Sequence, residues 1–104
     1  METIYLSREA LGGLFVRHTV WESIGSGDYT CRFQEKVRRP VKAGHSPSGG
    51  SQLIHLWRDL FGRHVATTHM VVDADGWPVH WDEKDLVVEG VKYVHSRQLD
   101  TPKP

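Results

Sequence analysis

From Ile54 to Asp82 the chain alternates strand-favouring runs with two turns of the same form, Asp59-Leu60-Phe61-Gly62 and Asp73-Ala74-Asp75-Gly76. Aspartate first and glycine last suit a type I turn closed by a residue in the left-handed region, a geometry that joins antiparallel strands. Between the turns, His64 to Val72 is rich in β-branched residues and predicts a strand. The preceding segment reads two ways. Leu53, Ile54, Leu56, Trp57, Leu60 and Phe61 fit a helical stripe capped by Ser51 and closed by Gly62, and they fit equally well a strand that turns at Asp59. The hairpin is preferred, because a strand over 64–72 needs a neighbour.

Pairing Asp59 with Arg63 across the first turn sets Trp57 opposite Val65, His55 opposite Thr67 and Leu53 opposite His69. Alternation then places Ile54, Leu56, Ala66, Thr68, Met70 and Val72 on a core face, with His55, Trp57, Val65, Thr67, His69 and Val71 on the other. In this register His55 and His69 are diagonal neighbours, about 7 to 8 Å apart at the backbone. The second face is too apolar for plain solvent surface, so it is covered or it binds something.

The pattern elsewhere is less regular. Ile4 to Leu6 predicts a short strand, and Ser7 caps a helix through Ala10 and Leu11 that Gly12-Gly13 stops after little more than one turn. Leu14 to Glu22 and Tyr29 to Val37 read as a first hairpin across the glycine-rich break Ser23 to Asp28, with Tyr29, Cys31 and Phe33 on its apolar face. Arg38 to Ser51 holds two prolines, three glycines and three serines in fourteen residues and predicts a mobile loop. After the second turn Trp77 to Trp81 returns as an edge or irregular strand, since Pro78 cannot donate to a ladder. Asp82 then caps a short acidic helix over DEKDLVV, Gly90 stops it, and Val91, Tyr93 and His95 alternate as a last strand before a frayed tail over about 97–104.

At 104 residues the chain suits a single domain with one modest core. The fold class is α+β: an antiparallel meander or barrel-like sheet of about five to six strands with one or two short helices. Thirteen basic and thirteen acidic side chains cancel, so net charge names no partner. The charges are nevertheless segregated. Arg32, Lys36, Arg38, Arg39 and Lys42 face only Glu35, whereas Asp73, Asp75, Asp82, Glu83, Asp85 and Glu89 face only Lys84. No apolar run approaches the roughly 20 residues that span a bilayer, and no signal-like leader opens the chain, which points to a cytoplasmic protein without membrane contact. Cys31 is the single cysteine; it excludes an internal disulfide and a thiolate zinc cluster, and it reads as a buried thiol in a strand.

The chemistry then divides into three readings. Seven histidines is a high count, but neither HxH nor HExxH spacing occurs and a diagonal pair supplies only two ligands, so no metal and no cofactor is assigned. A metal-independent ribonuclease of toxin type needs an acid and base pair with cations for the phosphate, roles open to His55 and His69 with Arg38, Arg39 and Lys42. Its architectural likeness to small bacterial ribonuclease toxins shares no motif and cannot establish function. A binding or regulatory module without catalysis is preferred, because tryptophan and arginine are frequent interface anchors. Trp57 and Trp77, with Arg38, Arg39 and Lys42, are its candidate binding residues, and Trp21 is a further one. At least two of the four tryptophans are expected to be mostly buried. A protein partner is expected, with nucleic acid as a second possibility through the basic 32–42 segment.

Overall fold

The structure is a computed structural model that describes residues 1–37 and 51–100, the side chains of 32–37 excepted. The described chain runs β1 (Glu2–Leu6), α1 (Arg8–Arg17), α2 (Val20–Ser26), β2 (Thr30–Val37), β3 (Ser51–Arg58), β4 (His64–Val72), β5 (Pro78–Val88), β6 (Val91–His95) and a 3-10 turn at Arg97–Leu99. The six strands make one sheet in the order β1-β6-β5-β4-β3-β2. Five strands form the expected antiparallel meander, and β1 adds beside β6 in parallel, so the sheet is mixed. The two helices carry the chain from one edge strand to the other. The loop assigned to 38–51 lies outside the described residues, except that Ser51 opens β3.

The first departure from the sequence reading is helical. Ser7 accepts from the Ala10 backbone at 3.2 Å, as expected for the cap, but α1 continues through Gly12-Gly13 to Arg17, and α1 and α2 together take the place of the strand expected over Leu14 to Glu22. Two interior glycines cost about 1 kcal/mol each relative to alanine. Leu11 and Phe15, one turn apart, are both fully buried, and burying two such side chains returns about 1.5–3 kcal/mol each. Packing therefore outweighs propensity. They rest with Val20, Val65, Ala66 and Leu86 in a core against one face of the sheet. Gly12 brings α1 close to β5, where an added Cβ would meet Glu83 Oε1 at 3.8 Å.

The second departure is the acidic run. Residues 82–88 belong to β5, not to a short helix. Residues Val65 to Thr68 of β4 are buried in mid-sheet, and their backbone groups need partners on both sides. This demand overrides the local capping signal of Asp82.

Both aspartate turns form as read. Asp59 N–H donates to the Arg63 carbonyl at 3.0 Å, and Gly62 sits at φ +77°; Asp73 and Trp77 repeat the bond at 2.9 Å with Gly76 at φ +87°. In each, the first aspartate accepts from two backbone N–H groups of its own turn. The register beyond the first turn is different from the expected one. Arg58 pairs with His64, but Trp57 pairs with Ala66, so Val65 is an extra residue in a bulge. His55 thereby stands opposite Thr68 and Leu53 opposite Met70. A slip of one residue exchanges the faces of one strand relative to the other. His55 and Trp57 share the helix-covered face with Ala66, Thr68 and Met70, whereas Ile54 and Leu56 share the reverse face with Thr67 and His69.

Cys31 is exposed, in place of the buried thiol expected. Trp21 and Trp57 are mostly buried and pack against the core, as expected for two of the four tryptophans, and Trp77 and Trp81 are exposed. The tail is tied down as far as Asp100, which accepts from Arg8 N–H at 2.7 Å and bonds His95 at 2.9 Å; residues 101–104 lie outside the described part. No helix among the described residues is long and apolar enough to cross a membrane.

The two classes of glycine give opposite expectations. Gly13 is helical, with open space where a Cβ would stand, so Gly13→Ala should raise stability by about 1 kcal/mol. Gly62 holds a left-handed φ, and Gly62→Ala should lower stability by roughly 1–2 kcal/mol. Urea midpoints at constant slope measure both, and a Gly13→Ala protein no more stable than the parent would refute the helical account.

Candidate functional site

The helix-covered face is wider than the two helices that lie on it. Beside α2 a cleft of about 540 Å3 opens, lined by Trp21, Ile24 and Gly25 from α2, His55 and Trp57 from β3, and Trp81 and Glu83 from β5. Alternation explains the membership: His55 and Trp57 are two apart on β3, as are Trp81 and Glu83 on β5, so each pair points to the same side of the sheet.

The walls are aromatic and held in place. Trp57 Nε1–H donates to Thr68 Oγ1 at 2.9 Å, and Thr68 is fully buried. The His55 ring stacks near-parallel on Trp57 at 5.7 Å and on Trp81 at 6.3 Å between centroids. Trp81 meets Trp21 edge-on at 5.7 Å, and Trp21 leans on core Phe15 at 5.7 Å. Core packing is thus transmitted outward through a chain of rings. Such offset and edge-to-face contacts add about 0.5–1.5 kcal/mol each to area burial.

Two polar features interrupt the apolar lining. His55 is 9% exposed, and its Nδ1 is buried without a hydrogen-bond partner; burial holds its pKa below the ordinary histidine value, so the ring is neutral near pH 7. Glu83 lines the cleft without a hydrogen bond or ion pair to any described residue. Among the described residues the cleft therefore offers indole surface, a neutral imidazole and one carboxylate.

The reverse face gathers a different set. His80 Nε2 lies 2.9 Å from Asp82 Oδ2, while His69 Nδ1 and Arg8 Nε each come within 3.7 Å of the same carboxyl group. His69 also bonds Gln52 Oε1 at 3.2 Å, and His64 bonds Asp85 at 2.9 Å. Burial pushes Asp82 up, but the His80 hydrogen bond and the Arg8 charge outweigh it and hold the carboxyl below its ordinary value. Asp85 is treated the same way by its bonds to His64 and Thr67. Among the described residues no group of three or more histidine, cysteine or acidic side chains is arranged to hold a metal ion.

The sequence candidates are dispersed by this geometry. Trp57 and His55 join the cleft, whereas His69 lies on the reverse face, so the acid and base pair that the expected register created is separated by the sheet. Trp77 stands at the tip of the second turn, 71% exposed and outside the cleft. Arg38, Arg39 and Lys42 lie outside the described residues. Sequence reasoning missed Trp81, Glu83 and Ile24. The Trp81-x-Glu83 spacing was available as a signal, but reading 82–88 as a helix removed the alternation that joins them.

The buried titratable groups predict a two-step loss of stability in acid. His55 is lowered by burial; His69 is lowered by burial and then by Lys84, against Asp82, which raises it. Each takes up its proton more readily when unfolded, so stability falls as the pH drops below 6.5, the ordinary value, toward the folded one. Asp82 and Asp85 are also lowered, so their contribution is present above 3.8 and lost as the pH falls below it. The thermal midpoint should show both declines, and His55→Gln with His69→Gln should remove the upper one. A midpoint that stays flat from pH 7 to pH 5 would contradict the neutral, buried state of these rings.

No known protein family, curated protein or solved structure matches the chain, and the reading of the site rests on its own side chains.

Proposed function

We propose that the chain is a small binding or regulatory module that acts by holding a partner and carries out no catalysis, with the cleft beside α2 as its recognition site. The carrying observation is the cleft itself: three indoles positioned by core contacts and by the Trp57–Thr68 hydrogen bond around a volume of about 540 Å3. Pre-positioned aromatic side chains lose little freedom on binding, which is why tryptophan is enriched among interface residues that dominate affinity. A protein partner fits best, since Trp81 is 46% exposed at the cleft and can be reached by a large partner. Arg38, Arg39 and Lys42 are retained in this proposal as a second contact for acidic protein or nucleic acid. A cytoplasmic setting accompanies the proposal, because one cysteine leaves no internal disulfide to call for an oxidising compartment.

The ribonuclease alternative is favoured by one observation, on the reverse face. His80 is oriented by Asp82, with Arg8 and His69 close to the same carboxylate. An imidazole held by a carboxylate can take a proton from a hydroxyl, and an exposed guanidinium can stabilise a phosphate. In this form the candidate residues are His80, His69 and Arg8, and His55 has no part.

One set of proteins separates the proposals. Immobilised parent, Trp81→Ala and Trp77→Ala proteins are challenged with an extract of the source cells, and retained proteins are quantified. A partner held by the parent and by Trp77→Ala, and weakened more than about tenfold in Trp81→Ala, is the expected result for a residue that dominates affinity. Loss only in Trp77→Ala would move recognition to the hairpin tip. Cleavage of labelled RNA in EDTA that disappears in His80→Ala would replace the binding proposal with the enzyme.

A further inference from the structure

We propose that the cleft between α2, β3 and β5 recognises a trimethylammonium group carried on an alkyl stem. This rests on the binding reading of the cleft and names the chemistry that it selects. Trp21, Trp57 and Trp81 line one space together with Glu83. The face of an indole ring is the negative end of its quadrupole, and tryptophan is the strongest of the aromatic residues at attracting a cation placed over it. The Glu83 carboxylate supplies a full negative charge at the same wall and has no described partner to neutralise it. Among the described residues no lysine or arginine lines the cleft, and its one histidine is neutral.

Hydrogen bonding explains why the preferred cation is a methylated one. A primary ammonium has three N–H donors, each of which loses water on entry. Among the described side chains that line the cleft, hydrogen-bond acceptors are confined to the Glu83 carboxylate and the His55 ring, whose Nδ1 is buried away from the space. Leaving such donors unpaired is costly. A trimethylammonium carries the same charge with no N–H group at all, and its methyl groups contact indole surface favourably. The volume of about 540 Å3 exceeds the needs of the head group alone and leaves space for an aliphatic stem along Trp81, at the exposed N-terminal end of β5. A free choline-like molecule and a trimethylated lysine side chain share this chemistry.

The test titrates the full chain with choline and with 3,3-dimethylbutanol, the neutral molecule of the same shape, following the four indole N–H signals by NMR. Choline should shift the signals of Trp21, Trp57 and Trp81, leave Trp77 unmoved, and bind at least about fivefold more tightly than the neutral analogue. Glu83→Gln, checked for an unchanged thermal midpoint, should weaken choline several-fold and leave the analogue unaffected. A peptide with trimethyllysine is compared with its unmodified form: tighter binding than choline, and discrimination of about tenfold or more, assigns the group to a protein side chain, whereas choline binding at least as tightly as the peptide assigns it to a free molecule. Equal binding of choline and its neutral analogue would overturn the charge selectivity and leave an apolar binding cleft. No response to choline or to the trimethyllysine peptide would overturn the proposal outright, while capture of a partner dependent on Trp81 would still stand for the module.

Discussion

The seating of Leu11 and Phe15 on Ala66 and Leu86 is the contact on which the rest of the architecture depends. It holds α1 in helical form across two glycines, and it fixes which face of the sheet is the inside. It also requires Ala66 and Leu86 to point to the same side, a condition met by their direct pairing across β4 and β5. The row continues through Tyr93 of β6 and Ile4 of β1 on one side and through Trp57 of β3 on the other. One core contact thus orders the side chains of five strands.

The bulge at Val65 follows from the same demand. Without it, Trp57 would face Val65 and the helix side of β3 would carry Ile54 and Leu56. With it, Trp57 and His55 come to the inside and the aliphatic pair is turned to the reverse face. The histidines of the two strands are thereby parted. The molecule gains an aromatic wall on one side and a set of histidine and aspartate pairs on the other. These are separate chemical environments: among the described residues one is aromatic with the Glu83 carboxylate, and the other is built of hydrogen-bonded histidine and aspartate side chains.

The cleft arises because two short helices cover a six-stranded sheet incompletely. α2 ends at Ser26, and the flat rings of Trp21, Trp57 and Trp81 line the space beside it without filling it. Ring-to-ring contacts running from Phe15 to Trp21, Trp81, His55 and Trp57 link that space to the core. A cleft built on core packing keeps its shape in the absence of an occupant, which lowers the ordering cost of binding.

Short-range chemistry was legible in the sequence alone. The Ser7 cap, the turns at Asp59–Gly62 and Asp73–Gly76, the strands 64–72 and 91–95, and the α+β class each depend on a few neighbouring residues whose backbone preferences are strong. Only the tertiary structure decided the continuation of α1 past Gly12-Gly13, the strand conformation of the acidic run in β5, the parallel docking of β1 on β6, and the bulge that changed the company of His55. Each of these is settled by a partner distant in the chain: a buried sheet face for the helix, unpaired backbone on β4 for the acidic strand, an open edge of β6 for β1. The candidate site divides in the same way. Trp57 was visible as a residue type worth attention, but its assembly with Trp21, Trp81 and Glu83 required the register, and a single extra residue in a strand decides register in a manner that local propensity does not encode.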